Sequence, residues 1–285
     1  MERRRAVNAD MRVHFGKYAI PPTLRKLMEF SDELGDAERF YRGLQFYLEP
    51  GSLRYFNTPC DVVVFGSIGV DGIHYGFLTD FGSAPDLETA PIVCVDPMNF
   101  DRPTKIVANN LREFLSVNLT DAGLFYNHFE SEDGYLETKR RWMEEAARSP
   151  YRSGAEEAER EAVVRRLKDR ILLPPVDNPY QYVRKVGEER RKAVTVPTQD
   201  GLGVTAPLRE GERHVPFPVS KDRPPDPEAL KAYLNSAPLA SRLALIRDIQ
   251  MNFVLEIEHA LRAAVLEAMD SMGLTDEAAR LSVRT

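Results

Sequence analysis

Three short apolar runs crowd together between Asp61 and Val95: Asp61–Phe65, Ile73–Thr79 and Pro91–Val95. Each is too short for a helix that could stand on its own and long enough for a strand. Val62, Val63, Val64 and Phe65 contain no polar alternate, the signature of a strand buried on both faces. The stretch from Gly66 to Gly82, GSIGVDGIHYGFLTDFG, connects the first two runs and carries glycines at 66, 69, 72, 76 and 82. Val70-Asp71-Gly72 reads as a turn, with Gly supplying the positive φ. Past it, Ile73, Tyr75 and Phe77 fall on one face and His74, Gly76 and Leu78 on the other. Gly76 lets a neighbouring element approach closely. Phe81 to Pro85 turns the chain out of the sheet.

Helical patterns flank these strands. In residues 20–34, Pro21 and Pro22 open a helix, Leu24, Leu27, Met28 and Leu34 form its stripe, and Gly35 ends it. Phe40–Leu48 and Leu53–Phe56 are weaker strand candidates. Residues 104–119 show helical spacing through Val107, Leu111, Phe114, Leu115 and Leu119, with Thr104 as the cap. The order of helix, strands and helix predicts an α+β domain, a mixed and mainly antiparallel sheet flanked by helices. A further helix is expected over Gly134–Arg148, with Trp142 on its apolar side. Residues 1–150 are therefore read as one domain able to fold without the rest.

Residues 151–173 read as a charged helix with a stripe of Ala158, Ala162, Val163, Leu167 and Ile171, stopped by Pro174-Pro175. Residues 174–227 hold ten of the 20 prolines, which predicts an extended arm. Asp200-Gly201 marks one hairpin within it, between Ala193–Val196 and Val204–Ala206. Residues 228–285 form a helical region. Asp226-Pro227-Glu228 is a helix start, and one long helix of about 50 Å is expected from Pro238 to a stop at Gly273. Its apolar face is too broad to leave in water. Leu243, Ile246, Phe253, Ile257 and Leu261 are the candidate residues for a homo-oligomer interface.

Several chemistries lack their residues. G-x-x-x-x-G-K-[ST] and G-x-G-x-x-G are absent, and Asp71 and Asp80 would repel a phosphate. There is no H-E-x-x-H, and Gly66-Ser67-Ile68-Gly69 has the wrong spacing for a nucleophile elbow. Cys60 and Cys94, the two cysteines, sit in apolar runs and are read as buried thiols. No cofactor, catalytic residue or metal ligand is expected. The basic start MERRR has no apolar segment behind it, and no run of about 18 apolar residues occurs, so a cytoplasmic protein without a membrane span is expected.

The net charge of −6 is unevenly spread. Residues 27–136 carry eighteen acids against six bases. An acidic middle of this kind disfavours nucleic acid and suits a basic partner.

The stretch from Ile20-Pro21-Pro22 to about Leu119 resembles the SUKH superfamily, the α+β proteins that include bacterial toxin-immunity proteins and a fungal regulator of cell-wall synthesis. The resemblance is carried by the leading helix, Val64-Phe65-Gly66 with Gly69 and Asp71-Gly72, then Tyr75-Gly76-Phe77 and Ala90-Pro91-Ile92-Val93. It closes on the helix-like run from Ile106 to Leu115. No Trp precedes residue 142, where many members have one early, and the C-terminal half is unlike a minimal immunity protein. The resemblance implies a non-enzymatic protein-binding domain, an immunity protein whose partner is a bacterial toxin, often a nuclease. An acidic surface would steer such a basic partner. Asp71, Asp80, Asp86 and Glu88 are the candidate contacts, because they flank the strand pair at turns. Two alternatives stand beside it: a metal-dependent enzyme using His74 and these acids, and a scaffold in which the arm and long helix interact.

Overall fold

The computed structural model describes residues 11–51, 53–148, 154–220, 222 and 224–283. After helical residues 11–15 (α1), the chain forms α2 (Pro22–Leu34) and α3 (Ala37–Leu44). Five strands follow: β1 (Tyr47–Leu48), β2 (Val62–Ser67), β3 (His74–Leu78), β4 (Ile92–Val95) and β5 (Thr104–Ala108). They pair antiparallel in sequence order, so the sheet is a meander. The fold is α+β, as the strand spacing predicts.

Both faces of the sheet are covered, which is why β2 carries no polar alternate. Val63, Phe65, Tyr75, Phe77, Ile92 and Cys94 face one core, against α2, α3 and α4 (Leu111–Asp121). Phe114 of α4 lies at its centre, 4.8 Å from the rings of both Tyr75 and Phe125. Val62, Val64, Leu78, Val93 and Val95 face the other way, onto Leu202 and Val186. The alternation read for residues 73–78 therefore holds. Gly76 sits where a Cβ would lie 2.4 Å from Val62 Cγ1 and 2.9 Å from the Val63 carbonyl oxygen, so the close approach is real.

Some local readings are corrected. Most of the weak strand Phe40–Leu48 is helix α3, capped by Asp36, which accepts from the Glu38 amide; Tyr47–Leu48 alone is extended. Phe40 and Leu44, four apart, explain why a helix serves better there: both bury on one side. Leu53–Phe56 is not a strand. Buried Arg54 shapes that loop by donating to the carbonyls of Val62, Thr58 and Pro59 at 2.7, 3.0 and 3.0 Å. Residues 104–108, read as the start of a helix, form edge strand β5; α4 begins at Leu111, with Asn110 accepting from the Glu113 amide at 3.0 Å. The β-branched Thr104, Ile106 and Val107 fit the pleat beside β4.

After the short α5 (Gly123–Tyr126) come α6 (Glu132–Arg148) and α7 (Gly154–Lys168). The core does not close at residue 150. Val163, Leu167 and Ile171 complete it, and so do Tyr180 and Val183 from α8 (Pro179–Ala193). That last helix also corrects the extended arm. Pro179 stands at its first position, where a missing N–H costs nothing, and no proline follows until residue 197. The expected hairpin reduces to one bridge, Val196 to Val204.

The C-terminal region holds α9 (Pro227–Ser236), α10 (Leu239–Met251), α11 (Val254–Ile257), α12 (His259–Ser271) and α13 (Thr275–Ser282). The single long helix is thus broken. Phe253 takes a left-handed conformation, φ 58°, and breaks the helix between α10 and α11. The stop at Gly273, φ 75°, stands as read. Leu243, Ile246 and Leu261 are buried in this chain's own second core with Leu230, Leu234 and Val265, so they cannot form the subunit interface expected of them. The side chain of Ile257 lies outside the described residues.

This second core takes in Cys60 and Phe81 from the sheet half and also meets the sheet through charge. Arg247 of α10 is fully buried and donates to Asp61 Oδ2 at 2.5 Å, with Asp200 at 3.7 Å and Asp80 at 3.8 Å. Burial pushes its guanidinium down, but the Asp61, Asp200 and Asp80 carboxylates outweigh that and raise it. Gln250 exchanges hydrogen bonds with the Cys60 amide and the Thr58 carbonyl. Arg280 of α13 donates to the carbonyls of Cys60 and His14 and to Glu277.

Candidate functional site

One end of the sheet gathers three turns. The β2–β3 turn closes with the Ile73 amide donating to the Val70 carbonyl at 3.1 Å. Both central residues, Asp71 (φ 53°) and Gly72 (φ 68°), are left-handed, the twist that suits a tight hairpin. Val70 and Asp71 are left exposed.

The β4–β5 loop is folded on its own polar groups. Asp96 accepts from the Met98 amide at 3.2 Å, and Asn99 accepts from the Arg102 amide at 3.0 Å. With the loop so held, Met98 and Phe100 project into solvent, 66% and 56% exposed. The loop before β2 is tied to it by Asn57, which donates to the Pro97 carbonyl at 3.0 Å, and it presents Phe56. The helix break adds the fourth part. The Phe253 ring lies 4.2 Å from Phe56 and 5.9 Å from Phe100.

The result is an aromatic surface patch beside a hollow of about 580 Å³ lined by Asp71, Asp96, Asp101, Ile73, Met98 and Phe100, with Asn99. Among the described residues, three carboxylates and no cation line it. A second hollow, on the far side of Asp71 and Ile73, is lined by Tyr41, Ile68, Val70 and Tyr126 among others. Exposed aromatic and methionine side chains next to unneutralised acid make a surface that apolar and basic groups of another protein can cover.

Of the four acids singled out in the sequence, Asp71 alone lines this surface. Asp80 turns inward, φ 46°, and takes a bidentate fork from Arg190 at 2.7 Å. Glu88 caps α2, accepting from the Thr23 amide and hydroxyl at 3.0 and 2.5 Å. Asp86 is exposed but accepts from the Thr89 amide and hydroxyl, both at 2.9 Å, and these bonds hold its carboxyl below the usual range. Asp96, Asp101, Met98, Phe100 and Phe56 were missed. The signal for most of them was there: the loop Asp96-Pro97-Met98-Asn99-Phe100-Asp101-Arg102-Pro103 sets apolar residues among acids in a turn.

His74, the centre of the enzyme alternative, is fully buried. Its ring stacks on Tyr55 and meets Thr58 Oγ1 at 3.0 Å and the Gly72 carbonyl at 2.7 Å. Burial lowers its pKa to about 4, despite the contact to Gly72. Among the described residues no group of three His, Cys, Asp or Glu side chains converges as a metal-ligand set. Burial also pushes both thiols, Cys60 and Cys94, well above the ordinary range. Among the described residues no helix is long and apolar enough to cross a membrane.

No protein-family model matches this chain, and none of the curated proteins compared with it matches either.

Proposed function

We propose that this chain is a non-enzymatic protein-binding module, and that the sheet end bearing Phe56, Met98, Phe100 and Phe253 beside Asp71, Asp96 and Asp101 is its contact surface for a basic protein. One observation carries the reading: exposed aromatic rings stand next to three carboxylates, with no cation lining the hollow among the described residues. Aromatic anchors supply most binding energy at such surfaces, and the acids steer a basic partner and fix its orientation. The same acids disfavour a second copy of this chain, since each patch would bring its carboxylates against the other's. A basic bacterial toxin such as a nuclease, the partner class that the resemblance to SUKH proteins implies, has the matching charge.

The test is surface-plasmon titration against a panel of basic nuclease toxins, reading affinity and association rate and comparing wild type with Phe100→Ser and with Asp71→Lys/Asp101→Lys. Loss of one anchor should weaken binding about 30-fold or more, a hot-spot cost of ~2 kcal/mol. The charge reversal should slow association and abolish its salt dependence. Equal affinity in both variants, with the toxin bound, would overturn this surface; no toxin binding by the wild type would overturn the partner class.

A further inference from the structure

On the β5 edge, beside the β4–β5 loop but lined by none of its residues, a cleft of about 440 Å³ opens between β5, α8 and the loop after α5. That volume suits a small organic molecule. Ile106, Leu124, Phe129, Tyr180 and Val183 give it an apolar lining. Its charged lining is Lys105, Arg184, Arg190 and Arg191 against Glu130 and Glu188, and His128 is kept in its neutral form by burial, Lys105 and Arg102. Two of these cations are already engaged, Arg184 with Glu188 at 3.0 Å and Arg190 with Asp80 at 2.7 Å. Lys105 and Arg191 form no ion pair among the described residues.

Lys105 is half-buried, and among the described residues its ammonium donates to the carbonyls of Leu124 (2.8 Å) and Asn127 (3.5 Å) alone. An ammonium has three protons, so one remains. Burial lowers its pKa, as expected of a charge short of a counter-ion.

The wall of the cleft carries a second sign. Gly187 lies inside helix α8 with an ordinary helical φ, although glycine costs a helix about 1 kcal/mol. No packing demands it: an added Cβ would meet nothing closer than Arg191 Nη1, at 3.8 Å. A side chain there would fill the cleft.

We infer that this cleft binds a small organic anion, its carboxylate or phosphate held by Lys105 and Arg191 and its apolar body lying on Phe129 and Tyr180 over Gly187. The site shares no lining residue with the protein-binding surface and does not depend on that reading.

Phenyl phosphate is the probe, followed by calorimetry and amide shifts on the full chain, with inorganic phosphate and benzyl alcohol alongside. Binding tighter than about 1 mM is expected, with both controls at least tenfold weaker. Gly187→Leu should remove binding while leaving the helical circular dichroism intact, because leucine is the better helix former. Arg191→Gln, an exposed change, should weaken it several-fold. The idea is overturned if phenyl phosphate fails to bind the wild type, if folded Gly187→Leu binds it unchanged, or if either control binds equally well.

Discussion

The two cores of this chain are built from different materials. Around the meander the contacts are rings and branched aliphatics: Phe46, Phe65, Tyr75, Phe114 and Phe125 meet edge-on or stacked at 4.8 to 6.4 Å. The C-terminal helices have a mainly aliphatic core of their own that reaches Cys60 and Phe81, and they add to that contact the buried polar groups of Arg247, Gln250 and Arg280. Apolar packing tolerates approximate shapes, whereas a buried charge is tolerated only where its partner stands. The junction therefore fixes how the two halves sit more narrowly than either core requires.

Breaking the junction should have the largest effect. Arg247→Met leaves Asp61 buried without its cation and should cost ~3–5 kcal/mol in urea unfolding. The double variant Asp61→Leu/Arg247→Met should recover part of that loss. A single variant as stable as wild type would mean that the apolar contacts through Cys60 and Phe81 suffice to join the halves. On the sheet side, Gly76→Ala forces a Cβ against Val62 and the Val63 carbonyl and should cost ~1–3 kcal/mol, read as a lower unfolding midpoint.

The two halves should also answer acid in opposite directions. His74, in the sheet, has its pKa lowered from 6.5 to about 4 by burial. The unfolded chain takes up its proton first, so stability falls as pH drops from 6.5 towards 4. Asp248, on α10, is raised from 3.8 to about 6 by burial, against the hydrogen bond from the Gln199 amide. Its folded form binds the proton more tightly, so stability rises as pH drops from about 6 towards 4. In wild type the two slopes oppose each other. Asp248→Asn should leave the His74 slope alone, making the melting temperature fall more steeply below pH 6; an unchanged profile would count against the shift at Asp248.

The smallest contrast lies between two neighbouring acids. Glu88→Ala removes the acceptor at the start of α2 and should cost ~1 kcal/mol. Asp86→Ala loses only a local bond pair to Thr89 on an exposed turn and should lower the midpoint less than Glu88→Ala does, although the sequence presents the two residues alike.

That contrast shows where sequence reading stops. Burial on both faces leaves a local mark, so Val62–Phe65 and the faces of residues 73–78 were legible. Asp71 was legible too, because a tight turn exposes what it carries. Asp80 was not, since its partner Arg190 is 110 residues away and no local pattern announces it. Residues 104–108 were misread because Val107 and Leu111 are four apart and mimic a helical stripe across a strand–helix boundary. The break at Phe253 had no glycine or proline to mark it.

The Arg247–Asp61 pair also sets a timetable. Its members are separated by 186 residues, while every pairing in the meander joins neighbouring strands. Neighbouring strands can find each other early, because little chain must be closed. At ~5–20 residues per second of synthesis, Asp61 waits roughly 10–40 s before Arg247 exists. Through that interval the nascent sheet carries an unanswered carboxylate at the place where the second half will dock, which keeps that place wetted until the chain is nearly whole.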